Sequence, residues 1–173
     1  MTPRAYSERP LGDLDRAAFY CGVPPLDDYF CGEQITREVG LGLTAAFVFV
    51  DSGASVAGYY TLSNYQVIRD DLSGALRRKM PYSNVPATLI GRLAVQKALQ
   101  GQGVGSRLLM SALIRAHKAS GETGSRVCVV DTIDDDARRF YVRRGFQKLS
   151  NEREQYFFDL RRVPEFVAKL TPS

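Results

Sequence analysis

The sequence predicts a mixed α and β fold in which one domain covers residues 1–173. A β-hairpin opens the sheet and two short strands close the chain, an arrangement that a purely parallel, doubly wound sheet does not have. Between them a strand, a loop, a helix, a strand and a second helix follow one another. A chain of 173 residues is long enough to bury one substantial core.

The first half of the chain contains a predicted helix and the hairpin. Residues 26–39 predict one helix, with Asp27 and Asp28 in an acidic first turn. Residues 44–50 and 56–62 are apolar runs on either side of a turn, and they predict the antiparallel hairpin.

The second half alternates strands and helices. Residues 68–86 contain two prolines and predict a short helix and a loop, whereas residues 87–95 predict a strand. Residues 126–131 predict a central strand, and residues 134–145 predict a capped helix that ends at a glycine. The segments FQKL and YFFDL predict two further strands. Apolar residues at helical spacing predict a long helix, with one face formed by Val104, Leu108, Leu109, Ala112, Leu113 and Ala116.

Composition excludes several classes of function. No apolar run approaches the roughly 20 residues that span a bilayer, and the first residues lack a secretory signal, so a cytoplasmic protein is expected. His117 is the only histidine, which excludes a histidine triad and a multi-histidine metal site. Cys21, Cys31 and Cys128 are an odd number without CxxC spacing, which argues against a disulfide framework or a zinc site. No metal site is predicted.

Positive charge is concentrated in two short segments. The net charge of +4 is modest, but one segment contains Arg77, Arg78 and Lys79. The other contains Arg138, Arg139, Arg143, Arg144 and Lys148. Clusters of this kind indicate an anionic partner, although a solvated helix face is an alternative for each side chain taken alone.

Three glycines, Gly101, Gly103 and Gly105, lie between a predicted strand and a predicted helix. Glycine permits positive φ angles and the close approach of a ligand, and a helix N-terminus presents unpaired N–H groups. Together they favour phosphate binding, with a tight turn that binds no ligand as the alternative. The Lys-Ser/Thr pair of a P-loop and the GxGxxG spacing are both missing.

The segment Gln100-Gly101-Gln102-Gly103-Val104-Gly105 resembles the Gln/Arg-x-x-Gly-x-Gly/Ala signature with which GNAT-type N-acetyltransferases bind the pyrophosphate of acetyl-CoA. LIGRLAV is similar to the fourth strand of that family. DDDARRFYVRRGF resembles its Asn-x-x-Ala-x-x-Phe-Tyr-x-x-x-Gly-Phe segment, with Asp134 where asparagine is usual. The resemblance implies the GNAT fold, a mixed central sheet with splayed fourth and fifth strands, flanked by helices.

The resemblance also implies the cofactor, acetyl-CoA, and the residues that bind it. Backbone N–H groups near the end of the fourth strand would polarise the thioester carbonyl, and the glycine loop would hold the pyrophosphate. The implied cofactor-binding residues are Leu93, Ala94, Val95, Gln100, Gly101, Gln102, Gly103, Val104, Gly105, Ser106, Asp134, Ala137 and Phe140.

Tyr141 is the candidate catalytic residue. It follows Ala137 by four residues, so both share one helical face. A phenol with a pKa of about 10 is protonated at neutral pH and can give its proton to a departing thiolate. The alternative is a core aromatic residue. No general base is identified, because the triplet Asp134 to Asp136 is typical of a helix cap. An α-amine, with a pKa near 8, needs a base less than a lysine amine does.

A narrower resemblance covers most of the chain. FYCGVPPLDDYF, GYYTLSNYQV, GRLAVQKALQGQGVG and IDDDARRFYVRRGF are similar to the toxin branch of the family. That branch acetylates the α-amino group of aminoacyl-tRNA, inhibits translation and is paired with a ribbon-helix-helix antitoxin. A homodimer is also implied. The implied tRNA-binding residues are Arg77, Arg78, Lys79, Arg92, Lys97, Arg138, Arg139, Arg143 and Arg144.

Two alternatives remain. The enzyme could acetylate a small amine or a protein N-terminus, or the chain could be a non-catalytic module that binds acetyl-CoA or its antitoxin. The intact glycine loop and the presence of Tyr141 argue against the non-catalytic module.

Overall fold

A computed structural model describes residues 4–170 of the chain. The strands of the described residues are β1 (Ser7–Pro10), β2 (Ala45–Val50), β3 (Val56–Ile68), β4 (Asn84–Val95), β5 (Val127–Asp131), β6 (Gln147–Lys148) and β7 (Gln155–Asp159). They form one sheet in the order β1-β2-β3-β4-β5-β7-β6. The α-helices are α1 (Pro24–Cys31), α2 (Gln34–Gly40), α3 (Gly74–Lys79), α4 (Val104–Thr123), α5 (Asp135–Val142) and α6 (Val163–Leu170).

The described chain forms two compact units. The first contains the described residues up to Ser63 together with Gly91–Ala112. The second contains Asn64–Ile90 together with the described residues from Leu113 onward. The prediction of a single domain over residues 1–173 stays a prediction.

In the first unit, an antiparallel sheet and helices α1 and α2 enclose an aromatic core. β1 pairs with β2, and β2 pairs with β3, both antiparallel. The Phe30 ring stacks on Tyr59 with the ring centroids 4.2 Å apart, and Phe19 meets Phe30 edge-on at 4.7 Å. Burial of aromatic rings of this size is the main stabilising contribution here.

In the second unit, the parallel pair β4–β5 continues through the antiparallel pair β5–β7. Its core contains Val127, Val129, Leu149 and Phe157, all at most 3% exposed. The Arg126 guanidinium adds two hydrogen bonds, of 3.0 and 3.1 Å, to the Asp159 carboxylate at the edge of this core. A bidentate pair of this kind fixes the start of β5 against the end of β7.

The parallel ladder between β4 and β5 is short. It runs from Ala87 opposite Val127 to Ile90 opposite Val130, and β4 continues five residues further, to Val95. This is the arrangement expected of splayed fourth and fifth strands. The predicted fold class, a mixed sheet flanked by helices, is confirmed.

Most of the predicted elements are present. The predicted hairpin is β2 and β3, and all six apolar positions predicted for one face of α4 are at most 3% exposed. The predicted helix over 134–145 is α5, which begins after Asp134. Gly145 adopts a φ of +95° beyond the helix end. Strand β1 and helix α6 were not predicted.

The prediction of one helix over 26–39 is wrong. The chain forms α1 and α2 instead, separated at Gly32 and Glu33. Gly32 is extended, with a ψ of −167°, so the helical backbone cannot continue through it. A Cβ at Gly32 would lie 2.7 Å from the Asp28 carbonyl oxygen, which explains why a glycine stands at the break.

Three further properties concern the described residues alone. Cys21, Cys31 and Cys128 are free thiols. Within residues 4–170, no group of three or more histidine, cysteine or acidic side chains is placed to hold a metal ion. No helix in that range combines the length and the apolar composition needed to cross a bilayer.

Gly58 of β3 allows the end of β4 to approach closely. A Cβ at this position would lie 2.7 Å from the Ala94 carbonyl oxygen and 2.5 Å from Cδ1 of Leu108. We expect Gly58→Ala to lower the free energy of unfolding by about 1–3 kcal/mol, because the Ala94 carbonyl is backbone and cannot move aside freely. Urea unfolding measures this. Gly53→Ala is the control, since its nearest atom would be 3.5 Å away; equal midpoints for the two variants would contradict the expectation.

Candidate active site

The glycine loop lies between β4 and α4 and has the backbone that the sequence predicts. Gly101 has a φ of +76° and Gly103 a φ of +83°, a region that side chains other than glycine rarely adopt. A Cβ at either position would have no protein atom within 4 Å. The outer face of the loop is therefore open, and a ligand can approach the backbone there.

Helix α4 begins directly after this loop. The Gly103 carbonyl accepts a hydrogen bond from the Arg107 N–H at 3.2 Å, which is the first closed turn of the helix. The N–H groups of a first turn have no acceptor inside the helix, and they lie at the positive end of its dipole. Val104 is buried, so the helix start is fixed by packing. An open glycine loop joined to a fixed helix start suits the pyrophosphate of acetyl-CoA.

The side chains of Gln100 and Gln102 stabilise the loop. Nε2 of Gln100 donates to the carbonyls of Cys21 at 2.8 Å and Val95 at 3.0 Å. Nε2 of Gln102 donates to the Ala98 carbonyl at 3.1 Å. Both amide groups thus have protein partners, and direct contact of these two residues with the cofactor stays a prediction.

The last residues of β4 are held on the β3 side. Ala94 is buried, Leu93 and Val95 are half-buried, and the N–H of Gln96 donates to the Ala57 carbonyl at 2.8 Å. These contacts fix the backbone that precedes the glycine loop. The roles predicted for Leu93, Ala94 and Val95 toward a thioester stay predictions.

Asp134 caps helix α5. Its Oδ1 accepts a hydrogen bond of 2.7 Å from the Ala137 N–H, and the residue itself is extended. A carboxylate at this position also favours the positive end of the helix dipole. The capping role predicted for Asp134 is confirmed, and its predicted contact with the cofactor stays a prediction.

Tyr141 lies near the end of α5 among aromatic rings. The side chain is 7% exposed, and it meets Phe140 and Phe146 edge-on at centroid distances of 5.1 and 5.2 Å. Within residues 4–170 its hydroxyl has no hydrogen-bond partner. Burial raises the pKa of Tyr141 above its ordinary value, and the nearby Cys128 thiol acts in the same direction. The phenol therefore keeps its proton throughout the neutral range.

Several of the predicted RNA-binding residues have partners inside the protein. Arg77 lies 3.5 Å from the Asp70 carboxylate and Arg138 lies 3.1 Å from the Asp135 carboxylate, while Arg139 pairs with Asp136. The guanidinium of Arg144 stacks on the Phe140 ring at 3.8 Å and donates to the Phe140 carbonyl. The remaining predicted residues of the second unit are exposed and have no ion pair among residues 4–170: Arg78, Lys79 and Arg143.

Arg92 belongs to a network that was not predicted. Its guanidinium lies 3.6 Å from the centroid of the Tyr29 ring, and the Tyr29 hydroxyl donates to Glu38 at 2.7 Å. Burial, and next this hydrogen bond, raise the pKa of Tyr29. The network joins α1 and α2 to β4. Because 63 positions separate Tyr29 from Arg92, the spacing of residues gives no signal for the contact.

Comparison with known proteins assigns the family. A family model described as the acetyltransferase (GNAT) domain matches residues 44–148. The tRNA-acetylating toxin of Mycobacterium tuberculosis is 38% identical over 140 residues, which are 80% of this chain and 82% of the toxin.

Solved structures of similar fold include two of the toxin AtaT. AtaT complexed with acetyl-methionyl-tRNAfMet has a TM-score of 0.87 and 28% identity, with 94% of this chain and 99% of that chain covered. A tyrosine-to-phenylalanine mutant of AtaT, bound to the C-terminus of the antitoxin AtaR and acetyl-CoA, has a TM-score of 0.80 and 25% identity, covering 94% and 98%. The glycine loop, the capped helix with its buried tyrosine and these similarities agree: the chain belongs to the GNAT family of acetyltransferases, enzymes that take their acetyl group from acetyl-CoA.

Proposed function

We propose that this enzyme transfers the acetyl group of acetyl-CoA to the α-amino group of aminoacyl-tRNA and thereby inhibits translation. The observation that carries the proposal is the 38% identity, over 80% of the chain, to a tRNA-acetylating toxin. Retention of the open glycine loop and of a protonated tyrosine supports catalysis rather than binding alone.

Acetyl-CoA supplies the acetyl thioester, and the chain positions it. The loop at Gly101 and Gly103 and the first turn of α4 hold the pyrophosphate by backbone N–H groups. Backbone N–H groups of Leu93 to Val95 polarise the carbonyl. Ala137 and Phe140 of α5 complete the predicted cofactor contacts.

Tyr141 acts as the general acid. As the amine nitrogen forms its bond to the carbonyl carbon, the carbon–sulfur bond breaks and the sulfur needs a proton. The Tyr141 hydroxyl provides it, since a phenol carries its proton at neutral pH and this oxygen has no competing partner within residues 4–170. The nitrogen releases one proton to water as it becomes an amide, and the phenol regains a proton from solvent.

The acidic triplet caps and supports helix α5, and none of its carboxylates is assigned as a general base. Asp134 caps α5, and the carboxylates of Asp135 and Asp136 are paired with Arg138 and Arg139. An α-amine with a pKa near 8 is partly neutral at physiological pH, whereas a lysine amine near 10.4 is not. An α-amine, which needs a general base less than a lysine amine does, is therefore the acceptor that we propose.

The basic residues hold the tRNA backbone. Arg78, Lys79 and Arg143 are exposed and without ion pairs among the described residues, so they can neutralise phosphates without breaking a contact. Arg77, Arg138 and Arg139 would first exchange exposed carboxylate partners, which costs little. Arg92, Lys97 and Arg144 complete the proposed set.

Binding of aminoacyl-tRNA is expected to weaken steeply as salt is added. Each neutralised phosphate contributes about 0.7–0.9 to the slope of log affinity against log salt. Replacing Arg77, Arg78 and Lys79 by alanine should reduce that slope by at most about three units, and by less if Asp70 retains Arg77. Fluorescence anisotropy over a salt series measures both slopes. A slope near zero for the unmodified enzyme would show that these residues bind no RNA.

The proposal extends to partners. One similar structure is AtaT bound to the C-terminus of its antitoxin AtaR, which supports an antitoxin partner for this chain. We propose that the antitoxin is of the ribbon-helix-helix class, that the enzyme is a homodimer, and that the single domain acts in the cytoplasm.

A comparison of acceptors tests the proposed function. The enzyme is incubated with labelled acetyl-CoA and, separately, charged tRNA, uncharged tRNA, a small primary amine and a peptide with a free N-terminus. We expect label on charged tRNA alone. Preferential labelling of the small amine or the peptide would replace the proposal by the alternative acceptor class.

A further inference from the structure

An exposed tyrosine contacts the residues between the end of β4, where Leu93 to Val95 are proposed to bind the thioester, and the glycine loop. Tyr20 is 56% exposed, and no other aromatic ring of residues 4–170 packs against its ring. Exposed, unpartnered aromatic rings beside a phosphate-binding segment are typical of surfaces that stack nucleobases.

The backbone of Tyr20 is fixed from both sides. Its N–H donates to Oε1 of Gln96 at 2.9 Å, and its carbonyl accepts from the N–H of Lys97 at 2.8 Å. The carbonyl of the next residue, Cys21, accepts a hydrogen bond from Nε2 of Gln100, and the Cys21 N–H donates to Oδ1 of Asp27 at 2.7 Å. The ring is therefore carried by a rigid turn whose position is set by the residues that follow β4.

A cation lies against the same turn. Gly22 has a φ of +91°, and a Cβ there would lie 3.4 Å from Cδ and 3.5 Å from Nζ of Lys97. Lys97 has no ion pair among the described residues. An ammonium over Gly22, on the turn that also carries the exposed Tyr20 ring, offers a charge for a phosphate near a stacking surface for a base.

We propose that Tyr20 stacks the terminal adenine of the tRNA acceptor end, with Lys97 on the adjoining phosphate. The inference rests on the proposed function and names the contact that places the charged end. The aminoacyl ester is attached to the ribose of that terminal adenosine, so the ribose and the ester keep its base near the reacting amine. The backbone of Tyr20 is hydrogen-bonded to Gln96 and Lys97. These two residues directly follow Leu93 to Val95, which are assigned to the thioester.

The adenine of acetyl-CoA fits this position less well. It is separated from the thioester by the whole pantetheine arm and by the pyrophosphate. With the thioester at Leu93 to Val95 and the pyrophosphate at Gly101 to Gly105, that adenine lies beyond the glycine loop. The backbone of Tyr20 is instead hydrogen-bonded to Gln96 and Lys97, which lie between the thioester residues and the loop in the chain.

Two substitutions at Tyr20 and one control test the proposal in the full-length enzyme. Tyr20→Leu removes the ring but keeps an apolar side chain, whereas Tyr20→Phe keeps the ring. Tyr82→Leu is the control, because Tyr82 is also exposed, at 75%, and has no role proposed in the site. The KM for aminoacyl-tRNA and the KM for acetyl-CoA are measured for each.

We expect Tyr20→Leu to raise the KM for aminoacyl-tRNA by about 5- to 150-fold, the usual effect of losing one base–aromatic stack. The KM for acetyl-CoA, the phenylalanine variant and the control should remain as in the unmodified enzyme. A fluorescent adenine analogue as the last base of the tRNA should be quenched by the unmodified enzyme and not by Tyr20→Leu.

Three results would overturn the inference: an unchanged KM for aminoacyl-tRNA, a rise confined to the KM for acetyl-CoA, or an equal loss in the control. In the first case, acetylation of charged tRNA by both proteins would leave the proposed function intact. Absence of acetylation by the unmodified enzyme would instead overturn the proposed function itself.

Discussion

Replacing Tyr141 with phenylalanine is expected to lower the rate of acetyl transfer to charged tRNA by about 10²–10⁴-fold, the usual contribution of a positioned acid. The change removes only the hydroxyl, which has no hydrogen-bond partner within residues 4–170. The ring contacts with Phe140 and Phe146 remain, so stability and acetyl-CoA affinity should change little. Single-turnover kinetics with saturating acetyl-CoA measure the chemical step directly.

Tyr156→Phe is the matched control for this experiment. Tyr156 lies in β7 of the same unit, and its exposure of 7% equals that of Tyr141. The Tyr156→Phe variant should retain the full rate of acetyl transfer. Full activity of Tyr141→Phe would make Tyr141 a core aromatic residue, whereas loss of acetyl-CoA binding would assign it to the cofactor pocket.

Replacing Gly103 with aspartate is expected to weaken acetyl-CoA binding by at least about 100-fold. At an effective dielectric constant near 20, two like charges about 4 Å apart repel by about 4 kcal/mol, and aspartate would place its charge where the pyrophosphate binds. The same charge at the start of α4 favours the helix, so the loss should not come from unfolding. Calorimetric titration with acetyl-CoA gives the affinity.

Gly103→Asn separates charge from backbone strain. Asparagine has the shape of aspartate, and both residues adopt a positive φ, here +83°, more readily than other residues with a Cβ do. At this position the Cβ of either residue would have no protein atom within 4 Å. The asparagine variant should bind acetyl-CoA much more tightly than the aspartate variant. Equal affinities for the two would mean that no phosphate lies at Gly103.

Local sequence signals predicted the parts of the fold that depend on neighbouring residues. Alternating and helical apolar spacing predicted the hairpin and the buried face of α4, and the glycines predicted the positive φ angles at Gly101 and Gly103. The break at Gly32 was missed because it depends on the approach of the Asp28 carbonyl, which apolar spacing does not report.

The candidate site was predictable where one short segment carries it. The loop and the cap at Asp134 are of this kind. Contacts between distant segments were not predictable, among them Arg92 on Tyr29 and the bonds from Gln96 and Lys97 to Tyr20. The aspartates paired with Arg138 and Arg139 also offset the local positive charge that a count of arginines suggests.

The chemical identity of the product tests the central claim most directly. Charged tRNA is incubated with the enzyme and acetyl-CoA, the aminoacyl ester is cleaved with mild alkali, and the released material is analysed by mass spectrometry. We predict N-acetyl amino acids, with no acetyl group on the RNA, and about 10²–10⁴-fold slower release of them when Tyr141→Phe is used. Acetyl groups that remain on the RNA after ester cleavage, or the release of free amino acids alone with no N-acetyl amino acid, would contradict this prediction.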